Sequence, residues 1–562
     1  MATRKGTILG VGLLLLLGLL AAACTPAAQP TATPSTRATA APGTTPAAAQ
    51  GEPGGTIRLI TYGEPPHQDV HQSLLTNIQG EGFGQAYSGL LMYKWGPDVA
   101  ALDSIPVGDL AEKWENPDPT TYIFYLRKGV KFHNIAPVNG REFVADDVVF
   151  SHTRQATKGW PNAPYVDMVK TWEAPDKYTV KATLDKPNAG FLTIFASGYN
   201  KIVAKELVEK DKDLKNSPHI GTGPFIQDEF QKDVMKSLKK NPDFYVKGQP
   251  LVDKVEFYII TDDSARQAAF QTGKIDRYGF STPIVKALTA ANPKLVKKEY
   301  KGSYGGFNFG LKVSQKPFDD ERVRDAISLA LDRQAFIDTV QFGMGWFSQG
   351  ITLPKEDWLL PQEEFAKAWK RDVPKAKQLL AEAGYPNGFD SELTVAYTYG
   401  QSYISGGELF QSQLKDVGIN VTIKNVDSPT YVERVIQRGT TGGEFKMYLG
   451  PLGAAAEASA ELYNTYHSTG GRNVSGHNDP KLDKMIDDQS QELNAEKRKA
   501  MIMEIERYLL DKNYKLFIAS STSQTLVQPW LQGWAPYAGG DSHRAAILRT
   551  EWVDSTSPSK KK

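Results

Sequence analysis

The sequence predicts an α/β protein in which helices cover the faces of a β-sheet and the chain forms at least two lobes. From residue 306 onward, predicted helices (319–340, 373–384, 407–418, 431–439) alternate with predicted strands (393–398, 419–426, 444–449). Helices between strands are typical of a sheet with covered faces. The body of the chain, from about Gly54 to about Asp554, spans about 500 residues, which is more than one hydrophobic core accommodates.

Strand patterns also dominate the first half of the body. Residues 56–61 alternate apolar and polar positions, and residues 122–132 and 178–184 are predicted as strands. The strand at residues 255–260 leads into a predicted helix, which Asp262 or Asp263 can cap at its start and which Gly273 can end in a left-handed conformation. This pair forms a strand-to-helix unit.

The N-terminus has the pattern of an export signal. Arg4 and Lys5 precede residues 8–23, which are all Ile, Leu, Val, Ala or Gly. The run is slightly short for a spanning helix and ends in small residues, so we interpret residues 1–23 as a signal peptide.

Cys24 is the only cysteine in the chain, which excludes an internal disulfide. Ala21-Ala22-Ala23-Cys24 resembles the bacterial lipobox, in which the cysteine becomes the lipid-modified first residue. Ala21 stands where that pattern prefers leucine. The alternative is a soluble secreted protein whose signal contains a cysteine, but a lone cysteine in a secreted chain calls for a special reason, and lipidation supplies one.

The residues after Cys24 have the composition of a tether. Residues 25–52 contain 9 Ala, 7 Thr and 5 Pro, and such a segment cannot bury a core. An extended polyproline conformation reaches about 3.1 Å per residue, so the predicted tether, residues 24–52, holds the body away from a membrane. The tail, residues 555–562, is predicted to be disordered.

The net charge and the motif content of the sequence limit the classes of function that it can have. The formal net charge is +1, which does not suggest nucleic-acid binding. No apolar run after Ala23 approaches the ~20 residues of a membrane span. The sequence contains no HExxH, GxSxG or phosphate-loop motif, and we expect no cofactor. His67 and His71 flank Asp69, but neighbouring prolines favour a loop over a metal site, and no metal is expected.

One block of sequence carries a family resemblance. Residues 108–151, GDLAEKWENPDPTTYIFYLRKGVKFHNIAPVNGREFVADDVVFS, resemble the signature of the peptide/nickel-binding solute-binding proteins, extracytoplasmic family 5. Further blocks resemble the same family in the same order, at residues 221–226, 241–276, 307–338, 375–390 and 414–421. Several blocks in the same order are far more specific than one motif.

The resemblance implies a bilobal periplasmic-binding-protein type II fold with an extra subdomain on the first lobe. The expected organisation is lobe I (53–96, 217–305 and 513–554), the extra subdomain (97–216) and lobe II (306–512). It also implies a non-enzymatic, monomeric receptor that is lipid-anchored at the extracytoplasmic face of the bacterial membrane or lies in the periplasm. Its partners would be a peptide or other small solute and the permease and ATPase subunits of an ABC importer.

Specificity is expected in loops between the family blocks, many of them rich in aromatic residues and glycine. Aromatic rings supply contact area, and glycines let backbone groups approach a ligand. The candidate ligand-binding residues are Tyr62, Glu64, Phe280, Tyr304, Asn308, Trp346, Tyr399, Tyr403 and Glu457. For Tyr304, Phe307 and Trp346 the alternative is core packing. The resemblance also implies that Arg127, Asp146 and Asp147 belong to the scaffold.

One departure from the family concerns the ligand. Peptide-binding members have a W-x-A-D-Y segment whose aspartate holds the peptide amine, and Ala455 stands at the position that we align with it. Either Glu457 takes the place of that aspartate, the peptide binds in another register, or the ligand has no free amine. An oligosaccharide- or metal-chelate-binding receptor is therefore the alternative, and a surface hydrolase or a sensor subunit are further ones.

Overall fold

The computed structural model describes residues 51–560 except 62, 438–444, 453–456 and 538–546. The predicted signal peptide, Cys24 and nearly all of the tether lie outside the described residues. The strands are β1 Thr56–Thr61, β2 Leu91–Tyr93, β3 Pro106–Gly108, β4 Ala111–Asp118, β5 Thr121–Leu126, β6 Val169–Asp176, β7 Thr179–Leu184, β8 Phe225–Gln231, β9 Met235–Lys240, β10 Lys254–Ile259, β11 Arg277–Gly279, β12 Val296–Leu311, β13 Gly345–Trp346, β14 Phe389–Ala396, β15 Ile419–Val426, β16 Met447–Gly450, β17 Lys515–Val527, β18 Leu531–Gln532 and β19 Trp552–Val553.

The α-helices of the described residues are α1 Thr76–Gln79, α2 Ala145–Gln155, α3 Phe191–Phe195, α4 Lys205–Asp211, α5 Asp263–Gln271, α6 Thr282–Ala291, α7 Glu321–Ala330, α8 Arg333–Thr339, α9 Gln362–Ala368, α10 Val373–Glu382, α11 Gln401–Lys415, α12 Ser428–Tyr431, α13 Ala458–Tyr466, α14 Pro480–Gln491 and α15 Ala495–Lys512. Short 3₁₀ turns and one π-helical segment, Val432–Gln437, complete the helical structure. The mixture of sheets and helices agrees with the predicted α/β class.

The first sheet joins strands that are far apart in sequence. Its order is β1-β10-β9-β8, and β1 pairs in parallel with β10, with Thr56 opposite Lys254. Nearly two hundred residues separate these strands, and most of them form other elements. The long connection includes residues 97–216, for which the sequence analysis predicts an extra subdomain.

The inserted residues form a sheet and a core of their own. The order of this four-stranded sheet is β4-β5-β7-β6, and neighbouring strands are antiparallel. Phe124, Val180 and Ala182 lie on its buried face, and α2 and α3 contribute Val148 and Phe191 to the same core. Buried and half-buried positions alternate along β5 and β7, which produces this one-sided packing.

The largest sheet holds most of the second half of the chain. Its order is β11-β17-β12-β16-β14-β15, and β13 pairs with β17. The long strands β12 and β17 run antiparallel, with register shifts between Lys301 and Gly306 and between Phe307 and Asn308. β14 pairs in parallel with β15 and β16, and α11 connects β14 to β15. Such crossovers cover the sheet with helices, as predicted.

Several predicted elements differ from the structure for local reasons. The helix predicted at 319–340 is two helices, because the Asp332 side chain accepts a hydrogen bond from Ala335 N and starts α8 there. The strand predicted at 122–132 ends at Leu126, because a turn follows in which Gly129 has a φ of +74°. The predicted helix at 431–439 is mainly π-helical as far as Gln437.

The C-terminal tail also differs from its prediction. Residues 555–560 form turns. The Ser559 hydroxyl accepts a hydrogen bond from Thr56 N at 3.1 Å and donates one to Thr56 O at 3.0 Å. This segment therefore packs against the start of β1 instead of being disordered, while residues 561–562 lie outside the described residues.

Two of the three residues that are assigned to the scaffold, Arg127 and Asp147, make contacts within the inserted segment. Arg127 Nε donates to Asp109 O at 2.7 Å. Asp147 accepts from Val144 N and pairs with Arg141 at the start of α2. Asp146, beside it in the first turn of α2, is exposed, and a carboxylate at a helix N-terminus is favourable.

Candidate ligand-binding site

Three of the predicted ligand-binding aromatic residues pack in hydrophobic cores. Tyr304 and Trp346 are 3% and 7% exposed, and their rings meet edge to face at 5.8 Å. Phe280 is half-buried and packs against Phe270 at 5.3 Å and Tyr278 at 4.8 Å. The packing alternative considered for Tyr304 and Trp346 describes their surroundings, and Phe280 has the same kind of environment.

A second group of predicted residues lies along the large sheet. Tyr403 is buried and its ring contacts Phe307 at 4.6 Å. Tyr399 is 42% exposed, and its hydroxyl lies 2.8 Å from the Ser428 hydroxyl. Asn308 is buried, and its Nδ2 donates to Gly306 O at 3.2 Å. Of these three, Tyr399 presents the largest exposed surface.

Glu64 lies after β1 beside a buried lysine. Its carboxylate is 3.8 Å from the Nζ of Lys236, whose side chain is fully buried. Lys236 Nζ also donates to Asn77 O at 2.8 Å, and burial lowers the pKa of this lysine, although Glu64 and Glu81 oppose the change. Glu64 therefore balances the charge of a lysine of the scaffold. Tyr62, its predicted neighbour in the site, lies outside the described residues.

Glu457 has partners within the protein. Its carboxylate forms an ion pair with Arg498, and the Glu457 side chain is fully buried. The same carboxylate accepts a hydrogen bond from Ser459 N at 2.8 Å and so caps α13. This corrects the expectation of a free carboxylate that could hold a ligand's ammonium group. Ala455, the position aligned with the missing aspartate, lies outside the described residues.

The residues around His71 serve the scaffold. Asp69 pairs with Arg154 at 2.5 Å, and this contact outweighs the effect of burial, so the pKa of Asp69 falls to about 2. His71 Nε2 lies 2.8 Å from Lys201 O. Within the residues that the structure describes, no group of three His, Cys, Asp or Glu side chains has the arrangement of a metal site.

Four tyrosines that sequence analysis did not single out lie close together. This tyrosine cluster consists of Tyr93 at the end of β2, Tyr165 after α2, Tyr199 after α3 and Tyr537. The rings of Tyr93 and Tyr537 are 6.0 Å apart, and those of Tyr165 and Tyr199 are 4.7 Å apart. Burial raises the pKa of Tyr93 well above its usual value, and the other three tyrosines and Glu457 raise it further.

The tyrosine cluster adjoins residues that belong to the predicted lobe II. Burial raises the pKa of Tyr165, and the positive charge of Arg472 opposes that change. Gly190, at the start of α3, lies against the Glu457 carboxylate so closely that a Cβ at this position would overlap with it. Ala189 N donates to Ser490 O at 2.8 Å. The subdomain and the segment from α13 to α14 therefore meet beside the cluster.

Sequence patterns carried little information about this arrangement. Successive tyrosines of the cluster are 72, 34 and 338 residues apart, and the four share no motif. Tyr199 follows FASG in a segment that otherwise looks like core.

One further observation concerns the membrane. Among the helices formed by the described residues, none combines the length and the apolar character that a membrane span requires.

Comparison with known proteins identifies the family. Residues 106–473 match the family described as bacterial extracellular solute-binding proteins, family 5. Heme-binding protein A of Haemophilus influenzae is 28% identical over 480 residues, covering 80% of this chain and 84% of that protein. Di/tripeptide-binding protein 3 of Pseudomonas aeruginosa is 32% identical over 445 residues, covering 74% and 81%. The solved structure of HbpA2 from Haemophilus parasuis has a TM-score of 0.74 at 25% identity and covers 89% of this chain and 100% of that one.

The match spans about two thirds of the chain, and the structural neighbours have the periplasmic-binding-protein type II fold. The predicted fold class is therefore confirmed, and the chain belongs to the bacterial extracellular solute-binding proteins of family 5.

Proposed function

We propose that this chain is the substrate-binding lipoprotein of an ABC importer, which captures a peptide-like solute between its two lobes and delivers it to a membrane permease. The observation that carries the proposal is the tyrosine cluster beside Glu457 and Arg472, where the predicted lobes I and II meet. Family membership supports the receptor role.

The chemistry of the cluster suits a ligand of variable side chains. Tyrosine rings supply large contact areas at a small entropic cost, and their hydroxyls can form hydrogen bonds. A receptor for varied peptides needs affinity from groups that all peptides share, which are the main-chain amides. The similarity to di/tripeptide-binding protein 3 of Pseudomonas aeruginosa supports this class of solute.

The proposal does not include an amine anchor at Glu457. The carboxylate already has a guanidinium partner and a backbone donor, so an arriving ammonium group would gain less from it than from a free carboxylate. We propose instead that the peptide is held mainly by backbone groups and aromatic surfaces. Of the predicted ligand-binding residues that the structure describes, Tyr399 is the most exposed.

Membrane attachment is proposed from the sequence. Lipidation of Cys24 would fix the chain to the extracytoplasmic face of the membrane, and the tether of residues 24–52 would let the body reach the permease. Mass spectrometry of the membrane-bound protein tests this directly. The mature protein should begin at Cys24, lack the mass of residues 1–23 and carry the added mass of a diacylglyceryl group.

We further propose that the lobes close on the solute about the connections near residues 305 and 510. The register shift in β12 between Lys301 and Gly306 supports the first of these positions, because an interrupted ladder can bend more readily than a regular one.

Small-angle scattering combined with thermal melting tests the proposed function. A mixture of di- and tripeptides should raise the melting temperature, because binding to the folded state stabilises it, and should reduce the radius of gyration. Cello-oligosaccharides and nickel–histidine chelates serve as comparison ligands. If a comparison ligand changes the melting temperature and the radius of gyration and peptides do not, the protein is a receptor but not for peptides. If no solute changes either quantity, the proposed receptor function is wrong.

A further inference from the structure

A small, partly open cavity lies in the predicted first lobe, next to the tyrosine cluster. Tyr93 forms part of its wall, together with Ser88, Ser197, Lys201, Asp109 and Arg549. The space that the centres of water molecules can occupy is ≈ 40 Å³. Because one water needs roughly 10–15 Å³ by this measure, the cavity holds about three waters or one small ion.

Lys201 lies in the wall of this cavity, and none of the described residues pairs with its charge. The residue is 3% exposed. Throughout the described part of the chain, its Nζ donates no hydrogen bond and has no carboxylate within 4.0 Å, whereas its carbonyl oxygen is engaged by His71. A buried ammonium without a partner is costly. Burial lowers the pKa of Lys201 to about 8, although Asp109 opposes the change, so the side chain is still mainly charged at pH 7.

Arg549 brings a second positive charge to the same wall. It is 2% exposed, and its Nη1 donates to Asp109 Oδ1 at 3.2 Å. Within the described residues its Nε is buried and has no hydrogen-bond acceptor. The described residues therefore supply acceptors for only some of the hydrogen-bond donors of the Arg549 guanidinium group.

Asp109 cannot neutralise both cations. Its Oδ1 accepts hydrogen bonds from Tyr245 at 2.5 Å and from Arg549. Two cations and one carboxylate leave the cavity wall with one uncompensated positive charge. The hydroxyls of Ser88 and Ser197 are further polar groups in the wall.

We propose that this cavity is a binding site for one small monovalent anion, a carboxylate group or a halide, which pairs with Lys201 and Arg549. The size of the cavity fits such a group, and its single excess charge matches a monovalent ion. Asp109 disfavours a phosphate or another multiply charged anion by repulsion.

The anion can come from two sources that share this chemistry. It is either a free ion that fills the cavity permanently, or the carboxylate of a solute bound beside Tyr93. The second source rests on the proposed receptor function, whereas the site itself does not.

Bromide is a direct probe of the site. Crystals of the protein in sodium bromide should show an anomalous bromine peak within hydrogen-bond distance of Lys201 Nζ, and crystals of Lys201→Met should lack it. In solution, bromide and acetate should raise the melting temperature relative to sodium gluconate at equal ionic strength. Lys201→Met should need at least ten times more bromide or acetate for the same rise in melting temperature.

A matched control separates the site from a general effect of removing a buried lysine. Lys515 is also buried, and burial lowers its pKa to about 8 as well, but it lies on β17, away from the cavity. Lys515→Met should retain the full response to bromide and acetate. An equal loss in both variants, or a bromide-soaked crystal with only water beside Lys201, overturns the proposal.

A dipeptide identifies the source of the anion. If alanyl-alanine binds at least tenfold more tightly than its C-terminal amide, and Lys201→Met abolishes that preference, the anion is the carboxylate of the solute. If the two peptides bind equally, or neither binds, while the bromide peak is present, the anion is a free ion. The bromide result therefore stands even where the receptor function fails.

Discussion

The Glu457 carboxylate and the Arg498 guanidinium form an ion pair in the interior, with side-chain exposures of 0% and 4%. Arg498 also donates to Ser459 Oγ at 2.8 Å, and Glu457 caps the helix to which Ser459 belongs. The pair thus joins the start of α13 to α15, beside the point where Gly190 of the subdomain approaches.

Removal of one charge from this pair should destabilise the protein. Glu457→Gln leaves Arg498 buried without a counter-charge, which typically costs about 3 kcal/mol or more. Urea denaturation should show this loss, and the double variant Glu457→Gln/Arg498→Met should recover much of it. The ratio of affinities for a free and an N-acetylated peptide should be the same in wild type and Glu457→Gln. A selective loss of the free-amine peptide would restore the amine-anchor hypothesis.

Gly190→Ala should impair binding more than folding. The φ of Gly190 is −86°, so alanine fits the backbone, but its Cβ would lie 2.6 Å from Glu457 Cδ. Under the proposed closure this contact opens in the empty protein, so the overlap acts on the closed form, and we expect at least tenfold weaker solute binding in calorimetric titration with little change in unfolding. Gly471→Ala, at an exposed site with no atom within 4 Å of the added Cβ, is the control. Unchanged binding in Gly190→Ala would show that this contact has no part in closure.

The protein should lose stability in mild acid. Burial lowers the pKa of His71 and His133 to about 4, and that of His152 and His219 to about 3. These values lie below the usual 6.5, so the unfolded state binds more protons than the folded state between pH 6.5 and 4. Each histidine therefore lowers the free energy of unfolding by up to about 1.4 kcal/mol per pH unit as the pH falls. Denaturation at several pH values measures the slope. His152→Phe should make it shallower, and an equal slope in both proteins would refute this explanation.

Glu506 should make the protein less stable as the pH rises, which is the opposite of the effect of the histidines. Burial raises the pKa of Glu506 to about 8, above the usual 4.5, so the folded state retains a proton that the unfolded state has lost. Its contribution to stability is therefore complete below pH 4.5 and is lost as the pH rises to 8. The stability of Glu506→Gln relative to wild type should rise by about 1.4 kcal/mol per pH unit between pH 5 and 8. Glu504→Gln, at an exposed position of the same helix, is the control. A constant difference between Glu506→Gln and wild type would contradict the assignment.

Much of the fold was predictable because its signals are local. The predicted strands at 56–61 and 419–426 have the observed bounds, since alternation or flanking glycines mark them. Asp262 caps α5 and Gly273 has a φ of +69°, as predicted. The break between α7 and α8 was missed because Asp332 lies inside a continuous helical pattern, and its role as a cap depends on the conformation of one residue.

The candidate site was less predictable because it depends on contacts between distant segments. Glu457 looked free in sequence, but its partner Arg498 comes from another helix. Tyr304 and Trp346 stand in glycine-rich segments that resemble binding loops, yet β12 and β13 carry them into a core. Lys201 precedes the apolar residues 202–204 and lies 348 positions before Arg549, so only the three-dimensional structure brings the two together.

The central claim is that the protein captures a solute and releases it unchanged. The direct measurement is to incubate the protein with a library of di- and tripeptides, remove unbound peptide by filtration, denature the protein and determine the retained peptides by mass spectrometry over time. We predict that a subset is retained at one peptide per chain and recovered intact, with no new fragments in the filtrate. Retention of none, or accumulation of hydrolysis products with time, would contradict the claim.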